Sequence, residues 1–158
     1  PLPFQQGLGR AWFEVSLTEA GPKADLAQEE ASRSLVLGLA GGLVGDKSPL
    51  IVGFGQGGVV ALTAFLHKPE LFVGCAMVGG RVLIEALPPP ALAHAGKSLF
   101  WAHGRADPAI PFSLAGQGRS LLEPYHLVMT ACDHDEGHIL PSAIASALRR
   151  WIDDVRAR

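Results

Sequence analysis

Asp107 and His138 are placed along the sequence as a carboxylate and a base that could act together. Asp107 follows an apolar run and lies in a proline-rich loop, whereas His138 lies between the last apolar run and a closing helix. Open α/β sheets assemble their sites at such strand ends. An acyl-transfer site needs a nucleophile, a base and a carboxylate that fixes the base's tautomer, and one known chain order is nucleophile, carboxylate, histidine. The alternative is that Asp107 only caps a turn and that His138 is a surface residue.

A glycine-rich turn, GFGQGG at residues 53–58, lies between a strand and a helix and has two interpretations. It fits G-x-G-x-x-G, in which a dinucleotide's pyrophosphate binds at the helix N-terminus. That fold places an acidic residue after the next strand, where this chain has Arg81, which could serve a 2′-phosphate. The turn also has the form of a nucleophile elbow, G-x-S-x-G, with Gly55 in place of the serine. The turn alone leaves both interpretations open.

Four segments, taken in order, resemble the carboxylesterase, lysophospholipase and acyl-protein thioesterase branch of the α/β-hydrolases. AWFE at 11–14 is similar to the family's Trp-Phe-Asp segment, and GF-x-QGG at 53–58 is similar to its elbow. HGRADPAIP at 103–111 resembles the His-Gly-x-x-Asp-x-x-Val-Pro segment that carries the triad aspartate. EGH at 136–138 resembles the Gly-His pair that carries the triad histidine. The resemblance covers nearly the whole chain.

The resemblance implies a serine esterase lineage that acts on acyl esters, lysolipids or thioesters and uses no cofactor or metal. It assigns the nucleophile position to Gly55, the triad aspartate and histidine to Asp107 and His138, and an oxyanion N–H to Gln56. The candidate substrate pocket residues are Trp12, Phe54 and Ile110. The ligand implied is a small acyl ester or a lipid-like molecule.

Two departures from the family pattern bear on activity. Gly55 has no side chain, so no acyl-enzyme can form there, and loss of a serine nucleophile costs several powers of ten in rate. Glycine also accepts the strained elbow backbone more readily, by about 1 kcal/mol. The second departure is the lack of the family's N-terminal strands and of the loop that donates a second oxyanion N–H, worth about 3 kcal/mol. We therefore expect a partial α/β-hydrolase fold that is impaired as a catalyst.

Apolar periodicity independently predicts an α/β fold with a mostly parallel sheet flanked by helices. Continuous apolar runs suit parallel strands that are covered on both faces. From Asp25 to Leu43 apolar residues, among them Leu35 and Leu39, recur at three or four positions and predict an amphipathic helix. The predicted strands cover 11–15, 50–54, 72–78, 98–103 and 126–131, and the predicted helices cover 25–43, 59–67, 113–122 and 141–156.

The composition favours a single domain, residues 1–158, with a small ligand. Thirteen basic and fifteen acidic residues give a net charge of −2 without a block of like charge, so neither nucleic acid nor an anionic membrane is an expected partner. The apolar runs at 35–45 and 71–80 fall short of the roughly 18 residues that span a bilayer. Cys75 and Cys132 each lie on or beside an apolar run, which predicts buried thiols and a cytoplasmic protein.

Strand 50–54 is expected at the inner edge of the sheet, where unpaired backbone groups are a template for another chain. The sequence therefore predicts a homo-oligomer or a separate N-terminal chain that pairs with this strand.

Three other functions stay open at this point. The chain could be a binding protein that keeps the acyl pocket without turnover, or a nucleotide-binding α/β domain that uses the glycine turn. His134 and His138, four residues apart among acidic residues, could bind a metal, although Asp135 takes the place of the glutamate in H-E-x-x-H.

Overall fold

The computed structural model describes residues 2–4, 9–19, 21–43 and 48–158, and it consists of eight strands and four α-helices with short 3₁₀ turns. The strands are β1 Leu2–Phe4, β2 Gly9–Ala11, β3 Val15–Thr18, β4 Gly21–Ala24, β5 Leu50–Phe54, β6 Gly74–Val78, β7 Ser98–Gly104 and β8 Val128–His134. The helices are α1 Leu26–Leu43, α2 Gln56–His67, α3 Ser113–Leu121 and α4 Ser142–Arg156.

A four-stranded parallel sheet in the order β5-β6-β7-β8 forms the centre of the molecule. Every residue of β6 and β7 is buried, which explains why these strands are continuous apolar runs in the sequence. Alternate side chains of these strands face opposite layers. One set packs with α1, α2 and α3, and the other packs against α4. The predicted α/β fold with a parallel sheet between helices is confirmed.

The central strands and helices fall close to their predicted positions. Strand β5 has the predicted bounds, and α1, α3 and α4 agree with the predicted helices to within one residue at each end. Helix α2 begins at Gln56 rather than at residue 59, because the glycine turn already has helical backbone after its third residue. Strand β8 begins two residues later than predicted, after His126 with its positive φ of 52°.

The predicted strand at 11–15 is wrong. Its ends belong to two separate antiparallel hairpins, β1 with β2 and β3 with β4, and the residues between them are irregular. Trp12 and Phe13 do not belong to a strand, because the side chains of Gln56 and Ser32 hydrogen-bond to their backbone groups instead. The Gln56 amide contacts both residues, and the Ser32 hydroxyl donates to the Trp12 carbonyl at 2.5 Å.

Helix α1 buries Glu29 and Ser32 together with Ala40, rather than the face on which the periodicity places its leucines. Glu29 is 1% exposed, accepts a hydrogen bond from Thr63 Oγ1 at 2.5 Å and pairs with Arg33 Nε at 3.3 Å. Leu35 and Leu39, which the periodicity places on the apolar face, are 60% and 72% exposed. The contact between α1 and α2 therefore combines a buried carboxylate with apolar packing by Val36, Leu37 and Ala40, and a leucine-rich surface remains on the outside.

Among the described residues, no helix is both long enough and apolar enough to cross a membrane.

Candidate active site

The strand-to-helix turn at Gly55 has the backbone of a sharp elbow. Strand β5 ends at Phe54 and α2 begins at Gln56, and Gly55 between them has φ 54° and ψ −123°. Its N–H donates to the Val78 carbonyl at 2.8 Å, which ties the turn to β6. A residue with a side chain is strained at this φ, and such strain is concentrated at functional sites.

The glycines on either side of the elbow are required by close packing. A Cβ on Gly53 would collide with the backbone of Gly57, and a Cβ on Gly58 would lie 2.9 Å from Met77 Cγ. Strand β5 and α2 can therefore approach closely only because these residues lack side chains. This packing accounts for most of the glycine pattern without a nucleotide.

Asp107 is held in one orientation by its own loop. The loop follows β7, and Asp107 Oδ1 accepts hydrogen bonds from the backbone N–H groups of Ala109 and Ile110, both at 2.8 Å. Its side chain is fully buried, and Oδ2 lies 2.7 Å from His138 Nδ1. Burial raises the pKa of this carboxyl, but the hydrogen bonds from Ile110, His138 and Ala109 outweigh burial and hold the pKa below its ordinary value. Asp107 thus caps the turn through Oδ1 and binds His138 through Oδ2.

His138, in the loop between β8 and α4, points its second ring nitrogen at the elbow. An ionised carboxylate only accepts hydrogen bonds, so Nδ1 of His138 carries the proton that Asp107 receives. In the neutral imidazole Nε2 is then a free acceptor. A Cβ built on Gly55 would lie 3.1 Å from this nitrogen. The Phe54 ring, 4.6 Å from the His138 ring between centroids, packs against the imidazole and restricts its movement.

Gln56 contributes to the site through both its side chain and its backbone. Its Oε1 accepts from the Trp12 N–H at 2.7 Å, and its Nε2 donates to the Phe13 carbonyl at 2.6 Å. The side chain therefore anchors the segment after β2 to the elbow, a role that the sequence did not reveal. Gln56 is also the first residue of α2, where a backbone N–H has no acceptor within the helix and can bind an anion.

A cavity of about 400 Å³ opens in front of Gly55. Of the sequence-predicted site residues, Gly55, Gln56, Ile110 and His138 line it. Trp12 and Phe54, expected as pocket residues, are not among the lining side chains. Phe13 lines the cavity where Trp12 was expected, while the Trp12 indole lies beside Gly57 and Phe54 supports the histidine. Asp107 lies behind His138.

Two arginines at the cavity were not assigned to an acyl site from the sequence. The lining is mostly apolar, with Val15, Val59, Pro111 and Leu114 among its members, but it also includes Arg10 and Arg81. Among the described residues that line the cavity, none carries a carboxylate. The cavity therefore combines apolar walls with positive charge.

His103 is a positioning residue of the aspartate loop. It is completely buried, and its Nε2 lies 2.9 Å from the Ile110 carbonyl, to which it donates. Because Ile110 N–H in turn binds Asp107, the imidazole fixes the loop that orients the carboxylate. This contact agrees with the expectation that His103 orients loop backbone, which stays a prediction.

Two of the acidic residues around His134, Asp133 and Asp135, are engaged in ion pairs. Asp133 accepts two hydrogen bonds from Arg119, at 3.0 and 2.5 Å, and this arginine lowers the pKa of the carboxyl more than burial raises it. Within the described ranges, no three side chains of the metal-binding types converge. Cys75 is a buried thiol, whose pKa is raised by burial, whereas Cys132 is only partly buried.

The sequence matches the model of the phospholipase/carboxylesterase family over residues 3–156. The chain belongs to this family. Comparison with curated proteins gives no match. Membership of the phospholipase/carboxylesterase family makes the elbow, rather than a dinucleotide fingerprint, the structural context of the glycine turn.

Solved structures give the same fold. Arabidopsis thaliana SOBER1 is 21% identical with a TM-score of 0.76, and the alignment covers 92% of this chain and 74% of that one. Zea mays acyl-protein thioesterase 2 is 18% identical with a TM-score of 0.77, covering 92% and 72%. A Bacillus cereus carboxylesterase is 19% identical with a TM-score of 0.76, covering 96% and 71%. The chain thus has the α/β-hydrolase architecture of phospholipase/carboxylesterase family members.

Proposed function

We propose that this protein is an acyl-ester hydrolase of the carboxylesterase, lysophospholipase or thioesterase type, in which Gly55 closes the route through an acyl-enzyme. The observation that carries the proposal is the geometry of the histidine. His138, bound to Asp107 at 2.7 Å, places Nε2 3.1 Å from the Cβ position of residue 55. Nucleophile, base and carboxylate positions of a catalytic triad are thus adjacent, and only the nucleophilic atom is lacking.

A serine at position 55 would complete this arrangement. Its hydroxyl would lie within hydrogen-bonding reach of His138 Nε2, which would take the proton as the oxygen attacks an acyl carbon. Asp107 would stabilise the imidazolium, and the Gln56 backbone N–H would donate to the oxyanion. The apolar walls of the cavity would hold the acyl chain.

Gly55→Ser tests this function directly. We expect hydrolysis of short p-nitrophenyl esters to rise at least about 10³-fold over the unchanged protein, since loss of a nucleophile typically costs several powers of ten. The matched control is Gly55→Ser combined with His138→Ala, which should lose the gain. Thermal unfolding of each variant verifies folding, because a side chain at φ 54° costs about 1 kcal/mol. A folded Gly55→Ser protein without the gain would contradict the proposal.

A second candidate function is binding without turnover. It is favoured by the two arginines on a mostly apolar cavity whose described lining includes no carboxylate, a combination that suits a fatty acid or a lysolipid with an anionic head. Calorimetry with a medium-chain fatty acid tests it. Arg81→Ala should weaken binding about tenfold, the worth of one charge-assisted hydrogen bond, while Arg149→Ala on the exposed face of α4 should not. No heat with any fatty acid or lysolipid would exclude this function.

The exposed edge of the sheet supports a proposed partner. Strand β5 is at one edge of the described sheet, with Val52 and Phe54 49% and 43% exposed, and several leucines of α1 are exposed as well. We propose that a second copy of the chain, or a separate N-terminal segment, pairs with β5 and could add an oxyanion donor. Sedimentation that shows a compact monomer with no tendency to associate would exclude self-association, and addition of the N-terminal segment then tests the other partner.

Two further proposals concern the domain organisation and the glycine turn. Residues 1–158 are proposed to act as one domain, which limited proteolysis would test by releasing a single protected core. A nucleotide-binding role for the glycine turn is the remaining alternative, and a fluorescence titration with NAD(P)H that shows no binding would remove it.

A further inference from the structure

The space in front of Gly55 is open toward the histidine. Apart from its chain neighbours, the only heavy atoms of the described residues within 4 Å of a Cβ at this position are His138 Nε2 at 3.1 Å and Cε1 at 3.5 Å. Gly55 and His138 both line the 400 Å³ cavity, so this point continues into space that a substrate can enter. The 3.1 Å separation belongs to a covalently bound Cβ; a water has to lie farther from the Gly55 Cα, and from the cavity side of this space it can hydrogen-bond to Nε2 at about 2.7–3.2 Å.

We propose that a water molecule replaces the missing hydroxyl, so that the protein hydrolyses acyl esters by direct attack of water, without an acyl-enzyme. This inference rests on the proposed acyl-ester site. His138 is then the general base for water rather than for a serine, and Asp107 keeps the required tautomer.

The reaction balances with water as the only co-reactant. The water oxygen forms a bond to the acyl carbon while one of its protons passes to His138 Nε2, and the Gln56 backbone N–H donates to the carbonyl oxygen as it becomes negative. When this intermediate collapses, the bond between the acyl carbon and the leaving oxygen breaks. The leaving oxygen takes the proton from Nε2, and the products are a carboxylic acid and an alcohol. A single displacement by water thus replaces the acylation and deacylation of a serine esterase.

Glycine suits this reaction in a way that alanine would not. When a serine nucleophile is removed from a triad, the remaining members usually add little, because the triad acts as a unit. An alanine methyl at position 55 would lie 3.1 Å from Nε2, tighter than an ordinary contact, and would crowd the side of the nitrogen that a water approaches. Glycine leaves the approach to Nε2 open, so a water can reach His138 and give it a proton. Glycine and alanine at position 55 both lack a nucleophile, but the hydrolysis rate should be higher with glycine.

The experiment compares the unchanged protein with Gly55→Ala, His138→Ala and His138→Gln, purified identically, on p-nitrophenyl butyrate. General-base catalysis contributes about 10²–10⁴-fold, so both histidine variants should lose at least about 100-fold of the enzymatic rate. Gly55→Ala should lose a similar factor. The unchanged protein should show no initial burst and no acylated species in its intact mass, whereas Gly55→Ser should show both.

The outcomes separate this inference from the proposed function. Equal rates for the unchanged protein, Gly55→Ala and the folded histidine variants would overturn water activation, while an active Gly55→Ser would leave the esterase site standing. An acylated species formed by the unchanged protein would also overturn it. A folded, inactive Gly55→Ser beside a histidine-dependent rate in the unchanged protein would contradict the serine-type proposal and support the water route. Histidine variants that fail to fold leave Gly55→Ala and the intact-mass measurement as the deciding tests.

Discussion

Replacement of Asp107 by asparagine should disable His138 as a base while it leaves the loop almost unchanged. The asparagine oxygen can still accept from the backbone N–H groups of Ala109 and Ile110, which now bind Asp107 Oδ1 at 2.8 Å. The amide NH₂ then faces His138 Nδ1, where the carboxylate oxygen lies at 2.7 Å. Because that group donates, the imidazole must carry its proton on Nε2, which points at position 55 and can no longer accept one.

The expected loss is about 10⁴-fold in kcat in the Gly55→Ser background, which corresponds to roughly 5.5 kcal/mol in the barrier. The KM should change little, because Asp107 lies behind His138 and is not among the residues that line the cavity. Steady-state kinetics on p-nitrophenyl esters separate the two constants. A fall of less than about tenfold in kcat, or a loss that appears mainly in KM, would refute the assignment of the carboxylate to the histidine tautomer.

The same variant predicts a pH-dependent difference in stability. The pKa of Asp107 is lowered in the folded protein, so its stabilising contribution is complete above the unfolded value near 3.9 and is lost as the pH falls through the lower folded value. The unchanged protein should therefore be more stable than Asp107→Asn at about pH 6, and the difference should shrink below about pH 4. Urea unfolding at several pH values measures it. A difference that does not depend on pH would contradict the origin given to the lowered pKa.

Two further predictions concern packing. Thr63→Val removes the hydroxyl that binds buried Glu29 and should lower the free energy of unfolding by about 1–3 kcal/mol. Thr63→Ser keeps the hydroxyl and should cost clearly less. Equal losses for the two variants would show that the hydroxyl is unimportant. Gly118→Ala places a Cβ 2.5 Å from Trp101 and should destabilise by about 1–3 kcal/mol. Gly116→Ala, in the same helix with open space around it, should stabilise by up to about 1 kcal/mol. Thermal unfolding that ranks the two glycine variants in the opposite order would contradict the packing described for α3.

The parallel sheet could be predicted because its signal is local. Strands β6 and β7 are buried on both faces, so their sequences are continuous apolar runs, and the glycines around the elbow are needed wherever β5 meets α2 closely. Strand 11–15 and the packing of α1 could not be predicted in the same way. Their conformations depend on the side chain of Gln56 and on the buried pair of Glu29 and Thr63, partners that lie 34 to 44 positions away in sequence.

The candidate pocket, too, could be predicted from the sequence only in part. Ile110 could be placed at the cavity because it sits in the loop that carries Asp107. The choice between Trp12 and Phe13 depends on which way the segment turns after β2, and the Gln56 amide decides this by binding both backbones. Arg10 and Arg81 are far apart in sequence, and only the tertiary fold brings both to the lining of one cavity.

The sequence by itself determined the α/β class, the order of the site segments and the lack of a nucleophilic side chain at Gly55, because each of these depends only on residue types and short-range spacing. Only the tertiary structure decided that His138 Nε2 faces the space at Gly55 and that Asp107 binds its other nitrogen. These relations join three separate loops at the ends of β5, β7 and β8. Parallel strands bring such loops to one edge of the sheet, and the distances between their side chains follow from that packing alone.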